Sequence, residues 1–219
     1  MSSKPAPTID AHGASIPAVG YGTMLFPEPE RAVELILHAL NCGYRHIDTA
    51  RKYGTEQWVG EAIRASDVPR EAVWVTTKVT EENAKADDFA RSVDTSLETL
   101  GLDYVDLLLI HWPSPEDEVP MVDYLTALKE VKAEGKARNI GISNFTIAQV
   151  DEAVSILGKG EILTNQIEVH PFLQNRKLVD HCEQHGIQIT AFMPLAVGKV
   201  MDDPTLKQIA DAHNATPAQ

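Results

Sequence analysis

The sequence predicts a (β/α)8 TIM barrel, and three observations predict it. Seven candidate strands are each followed by a candidate helix, and strict alternation of this kind argues for a parallel sheet. The units run roughly 25 to 40 residues, a spacing that suits a barrel better than an open sheet. The open doubly wound sheet, the structural alternative, lacks its fingerprint: Gly20-Tyr-Gly22-Thr-Met-Leu25 has no third glycine to complete G-x-G-x-x-G, and no Walker A run is present. With 219 residues, 43% of them hydrophobic, the chain supplies one sizeable core, so 1–219 reads as a single barrel domain.

The elements follow in order. Thr8 to Pro17 fits a small hairpin turning at His12-Gly13. Ala18 to Gly22 is a Gly-rich strand, and Pro29 opens a helix carrying Val33, Ile36, Leu37 and Leu40 at helical spacing. Gly43 ends that helix and the strand to Asp48 follows. A helix covers about 55–65. Val73 to Lys78 is β-branched and aromatic, as strands prefer. Phe89, Val93, Leu97 and Leu100 mark the next helix, stopped by Gly101.

Tyr104 to His111 is a near-continuous apolar run, expected of a parallel strand buried on both faces. A helix from about Met121 to Glu134 ends at Gly135, and Arg138 to Ser143 is a strand. Thr146-Ile-Ala-Gln149 is a capping box for a helix lined by Ile147, Val150, Val154 and Leu157. Thr164 to Val169 is a strand, Asn175 is placed as the cap of a helix to about His185, Gln188 to Phe192 is a strand, and Asp203-Pro204 caps one more helix. Thr216-Pro-Ala-Gln219 reads as a second capping box announcing a further helix. A barrel does not close on seven units, so the expectation is a natural chain that continues past Gln219 with an eighth.

Composition narrows the function. A net charge of −13 and a pI of about 5.0 disfavour nucleic acid and anionic membrane surfaces as partners. The two cysteines, Cys42 and Cys182, are too few for a disulfide framework and lack metal-site spacing, so both read as reduced, half-buried thiols. Met1 to Pro7 contains no apolar run of the kind a signal peptide needs, and no stretch approaches the roughly 20 apolar residues of a bilayer span. A cytoplasmic, monomeric protein is the expectation.

In such a barrel the reacting groups stand at the C-terminal ends of the strands. Collecting polar residues there gives Asp48 with Tyr53 in the following loop, Lys78, His111, Ser143 with Asn144, Gln166 and Phe192. His46 and Asp48, two apart, point to one face, with Ile47 to the other. Asp48 and Lys78 lie on neighbouring strands with opposite charge, and a buried Lys or Asp is expensive without a partner. A free phenol titrates near pH 10, and a nearby ammonium favours its phenolate. Tyr53 is therefore the candidate general acid, with Lys78 tuning it, Asp48 holding Lys78, and His111 orienting the group to be protonated. Such a tetrad suits proton donation to a carbonyl oxygen gaining negative charge. Singly, each residue has a plain structural reading: an ion pair, a core histidine, a packing tyrosine. Their joint placement on three successive strand ends is harder to dismiss.

His46-Ile-Asp-Thr-Ala, Tyr53-Gly, Thr77-Lys78, Leu109-Ile-His-Trp112, Gly141-Ile-Ser-Asn-Phe145 and Asn165-Gln166 resemble, in order and spacing, the motifs of the aldo-keto reductase superfamily. His111-Trp-Pro-Ser-Pro, Leu173-Gln-Asn-Arg-Lys177 and His213-Asn-Ala-Thr-Pro-Ala-Gln are similar to the family's 2,5-diketo-D-gluconate reductases, which also reduce small α-dicarbonyls such as methylglyoxal. The resemblance implies an NADPH-dependent carbonyl reductase with Asp48, Tyr53, Lys78 and His111 as catalytic tetrad. It implies that Ser143, Asn144 and Gln166 hold the nicotinamide carboxamide and that Phe192 stacks where the family usually has tyrosine. Gly22, Thr23 and Leu195 would also touch the cofactor, and Trp112 would wall the substrate pocket beside His111. Met193 departs from the family's usual serine, and Thr80 stands where relatives often carry tryptophan. The family places the basic residues for the adenosine 2′-phosphate beyond the position of Gln219, so the preference for NADPH over NADH rests on the resemblance alone.

Two other readings compete. His46, Asp48, Lys78, His111 and His170 are a possible ligand set for a metal-dependent hydrolase on the same barrel. A non-catalytic nucleotide-sensing protein of the same fold is the other.

Overall fold

The structure is a computed structural model that describes residues 7–26 and 28–219. Met1–Ala6, the bulk of the segment read as carrying no export signal, lies outside the described residues.

The chain opens with an antiparallel hairpin, β1 (Thr8–Ala11) and β2 (Ala14–Pro17), turning at His12 and Gly13. Both turn residues have positive φ, a conformation glycine adopts freely. Seven parallel strands follow in one sheet whose spatial order is the chain order: β3 (Tyr21–Gly22), β4 (His46–Asp48), β5 (Trp74–Val79), β6 (Val105–Ile110), β7 (Ala137–Ser143), β8 (Ile162–Glu168) and β9 (Gln188–Phe192). The helices are α1 (Ala32–Asn41), α2 (Glu56–Ala65), α3 (Ala86–Leu100), α4 (Met121–Ala133), α5 (Ile147–Leu157), α6 (Arg176–Gln184) and α7 (Pro204–Ala212). From α1 to α6, each helix packs on the next. This is the wall of a (β/α)8 barrel with seven strands in place. Among the described residues β3 and β9 do not pair, so the wall is open between them.

Two apolar clusters flank the sheet. The larger fills the space between strands and helices, with Ile47, Val75, Leu108, Ile140 and Ile162 facing Leu40, Val59, Phe89, Leu125 and Val150. The smaller lies inside the wall, where Leu107, Leu109 and Leu163 pack against Ala11 of the hairpin. The hairpin thus plugs the end where the strands begin: His12 stands against Gly160 and Gly186, just before β8 and β9.

Several boundaries differ from expectation. Only Tyr21–Gly22 of the run from Ala18 pairs as strand, since Pro17 and two glycines leave little to hold a ladder. Pro29 starts a single 3-10 turn, Pro29–Arg31, and α1 begins after it. Asn175 is not a side-chain cap: it sits in the left-handed region at φ 46° and its Nδ2 donates to the Glu168 carbonyl at 2.8 Å. The Thr146 capping box is reciprocal, and Asp203 Oδ1 accepts from Leu206 N at 2.9 Å. At the chain end, Gln219 Oε1 accepts from Thr216 N at 2.9 Å, half of the expected box. The thiols are not alike: Cys42 is exposed, while Cys182 is the buried residue of α6.

Candidate active site

The strands end on a cavity of about 1080 Å³ that is bounded by β3, the loops after β4, β6 and β7, and the open edge of β9, and that extends down to Ile9 and Ile16 of the hairpin. Asp48, Tyr53, His111, Trp112, Ser143, Asn144, Gln166, Phe192, Gly22 and Thr23 all line it. Parallel pairing explains the convergence. Gly22 is level with Asp48 across β3 and β4, and Ser143 is level with Gln166 across β7 and β8, so residues far apart in sequence emerge side by side.

Beneath the floor lies Lys78, 1% exposed. Its Nζ donates to Asp48 Oδ1 at 2.5 Å and to the Thr49 carbonyl at 2.9 Å. Asp48 Oδ2 accepts from Gln166 Nε2 at 2.7 Å, so both carboxylate oxygens are engaged. A buried ammonium is tolerable only with such pairing. The same Nζ stands 5.1 Å from the centre of the Tyr53 ring. Tyr53 closes the 3-10 turn Arg51–Tyr53, and Gly54 at φ 67° lets the chain leave it.

His111 follows β6 directly, its backbone N–H bonds to Val79 O, and the residue lines the cavity. Its ring meets Tyr53 edge to face with centroids 5.6 Å apart. Burial, then the Lys78 ammonium, push its pKa down to about 4. The imidazole is neutral at pH 7. Its Nδ1 is buried with no partner among the described residues, so no hydrogen bond there fixes which ring nitrogen carries the proton.

Asn144 adopts the left-handed region at φ 64°, which asparagine tolerates better than most residues. Its Nδ2 donates to the His111 carbonyl and to Ser143 Oγ, both at 3.0 Å. Ser143 Oγ in turn donates to the Gln166 carbonyl at 2.8 Å. These bonds occupy the amide nitrogens of Asn144 and Gln166, which both line the cavity, and leave their side-chain oxygens without a hydrogen-bond donor among the described residues. Gly22 presents bare backbone there, with nothing within 4 Å of where a Cβ would stand. Thr23 is fully buried, its Oγ1 donating to the Asp48 carbonyl at 3.1 Å.

Leu195 is half-buried beyond the cavity wall, its carbonyl accepting from Gly198 N and Val200 N. Met193 reaches the wall at positive φ, whereas Thr80 is buried and accepts from Asn83 Nδ2 at 2.8 Å instead of facing the cavity. The ligand set imagined for a metal hydrolase is not assembled: His46 Nε2 is bonded to Thr76 Oγ1 at 2.9 Å and His170 Nε2 to Glu168 Oε1 at 3.0 Å. Sequence reading missed Lys52, on the cavity rim and paired with Glu81 at 2.8 Å, and the Thr49 carbonyl under Lys78. A backbone acceptor leaves no trace in side-chain identity. Lys52 adjoins Tyr53, and that adjacency was the available signal.

A profile of the Aldo/keto reductase family matches residues 18–218. The chain belongs to that family. Methylglyoxal reductase DkgB of Escherichia coli O157:H7 is 49% identical over 205 residues, which cover 94% of this chain and 76% of that protein. Glyoxal reductase of Bacillus subtilis (strain 168) is 39% identical over 215 residues, 97% of this chain and 76% of that one. A crystal structure provisionally assigned as a 2,5-diketo-D-gluconic acid reductase B superposes with a TM-score of 0.92 at 43% identity, covering 97% of this chain and 74% of the other. As an aldo/keto reductase, this chain is an oxidoreductase. Among its described residues no helix is long and apolar enough to cross a membrane.

Proposed function

We propose that this aldo/keto reductase reduces the carbonyl of small α-dicarbonyl or keto-sugar substrates, such as methylglyoxal or 2,5-diketo-D-gluconate, to the alcohol with NADPH. The observation that carries the reading is the buried Lys78 ammonium, held by Asp48 and set under the Tyr53 ring.

The wall suits a nicotinamide. Two acceptor oxygens, from Asn144 and Gln166, meet the two N–H groups of a carboxamide, Phe192 offers a ring face, and bare backbone at Gly22 admits close approach. Bound there, NADPH supplies hydride to the carbonyl carbon. The chain's residues handle the oxygen. His111, neutral, donates its N–H to the carbonyl oxygen and sets its direction toward Tyr53. As negative charge grows on that oxygen, the Tyr53 hydroxyl gives it a proton. The Lys78 ammonium stabilises the phenolate left behind, and Asp48 and the Thr49 carbonyl keep the ammonium in place. Trp112, 47% exposed, forms an apolar side of the substrate mouth.

The reading is supported by relatives whose names give methylglyoxal and glyoxal as substrates, at 49% and 39% identity. It is tested by following NADPH consumption with methylglyoxal for the protein and for Tyr53→Phe. Removing one hydroxyl should lower turnover by at least about 10²-fold, the low end for a general acid, while NADPH still quenches protein fluorescence. Full turnover in the variant would show that Tyr53 is not the proton donor.

A further inference from the structure

Outside the cavity, one cluster of metal-ligating side chains stands on the helical shell. His181 lies in the last turn of α6 and His185 is that helix's C-cap, one turn later. Residues four apart share a helix face, and here the face looks at α5. Asp151 of α5 meets both: its Oδ1 is 2.8 Å from His181 Nε2 and 3.2 Å from His185 Nε2. The two rings lie 4.9 Å apart, centre to centre, and the three ligand atoms fall within 4.8 Å of one another.

We propose that Asp151, His181 and His185 form a binding site for a borderline divalent transition ion of the Zn2+ class, which clips α5 to α6. The spacing supports this. Ligand atoms about 2.0–2.1 Å from a tetrahedral ion lie about 3.3 Å apart. The two nitrogen–oxygen separations, 2.8 and 3.2 Å, are short of that edge by about 0.5 and 0.1 Å, so a small spreading of Asp151 from His181 would admit the ion. Two imidazoles and one carboxylate are donors such an ion accepts, whereas Ca2+ and Mg2+ prefer all-oxygen sets. The site is also placed where an ion can enter. The side chains of His181, His185 and Asp151 are 22%, 29% and 54% exposed, so water can complete the coordination. The partial negative charge at the C-terminal end of α6 favours a cation there. The residues take no part in the cavity, so occupancy acts on the shell and leaves the chemistry untouched.

The test is equilibrium dialysis of the purified, chelator-stripped protein against Zn2+, with thermal unfolding in parallel and Co2+ as a spectroscopic probe. The unaltered protein should take up Zn2+ at this site at micromolar free ion and melt a few degrees higher for it, because an ion that binds only the folded state stabilises it by mass action. His181→Ala and His185→Ala should each weaken that uptake by at least about tenfold, since even second-shell partners of a metal are worth that much, and should abolish the melting shift. Asp151→Asn should weaken binding less. His38→Ala, which alters the exposed Cys42–His38 pair on α1, should change nothing. Circular dichroism and unchanged carbonyl turnover would certify that the variants are folded. Absence of Zn2+ uptake at 100-fold higher ion, roughly 10⁻⁴ M, overturns the proposal. Uptake that survives both histidine substitutions, or a Co2+ spectrum the same with and without them, overturns it equally.

Discussion

Lys78 concentrates the energetics of the site in one side chain. It is 1% exposed, yet it carries a charge whose removal from water is offset by Asp48 and a backbone carbonyl. Taking away the ammonium leaves Asp48, 17% exposed, with Gln166 as its remaining donor. Lys78→Met should therefore lower stability by about 3 kcal/mol, the scale of a broken buried pair, read from the urea midpoint, and should remove turnover. The double variant Lys78→Met/Asp48→Asn should recover much of the stability, because no unpaired charge stays behind, and none of the turnover. Parallel recovery of both would show that Lys78 serves the fold alone. Asp106 illustrates the other role a buried carboxylate can take. It accepts from Val75 N at 3.0 Å and pairs with Arg70 at 2.8 Å, and Arg70 and Arg138 each place a guanidinium over the Tyr104 ring, at 4.4 and 3.9 Å from its centre. Those contacts tie β5, β6 and β7 together at the end opposite the cavity.

Between elements, α2 approaches the end of α3 closely at Gly60. Gly60 lies mid-helix, where glycine ordinarily costs about 1 kcal/mol relative to alanine. Its position explains the choice: a Cβ there would stand 1.9 Å from the Leu100 carbonyl oxygen and 2.7 Å from its carbon, both backbone atoms that cannot swing aside. The steric term outweighs the propensity gain, so Gly60→Ala should destabilise by about 3 kcal/mol as α2 is pushed off α3. Gly22→Ala is the contrasting case, since nothing lies within 4 Å of its would-be Cβ. That variant should keep its melting temperature and lose NADPH affinity, measured by fluorescence titration; unchanged affinity would remove Gly22 from the cofactor surface. Gly141 plays a related part within the sheet, where a Cβ would meet the Thr164 carbonyl at 2.8 Å.

For the molecule as a whole, acid stability follows from what it buries. His111, pushed down to about 4 by burial and then by Lys78, and His46, also held down by burial, are neutral when folded. In the unfolded chain an imidazole takes up its proton near pH 6.5. The unfolded state therefore binds more protons below that value; the stabilising contribution of His111, complete above about pH 6.5, is lost as pH falls toward about 4, and His46 acts in the same direction. For His111 the loss is on the order of 3 kcal/mol. Glu56, whose pKa burial raises despite its bond from Thr77, acts in the opposite direction: its burial costs stability as pH rises above the ordinary carboxylate value. The comparison that isolates one term is His111→Gln against the parent. Urea midpoints from pH 7 to pH 4 should fall less steeply in the variant, and parallel curves would place the acid sensitivity elsewhere.

Much of this was legible in the chain. Alternating β-branched runs and amphipathic helices specify a parallel sheet because each pattern can bury its apolar face in few ways, and a polar residue closing a strand must then face the loops that follow. That logic put Asp48, Lys78, His111, Ser143 and Gln166 at one end from their positions alone. It could not say which partner each would choose. Gln166 spends its amide nitrogen on Asp48 rather than leaving it open, Asn175 turns to the Glu168 carbonyl instead of capping its helix, and Lys78 takes the Thr49 carbonyl as its second acceptor. Periodicity fixes which face a side chain occupies; the hydrogen bond it makes there depends on atoms brought close by strands up to 118 residues apart in sequence, and only the curvature of the assembled sheet settles those distances.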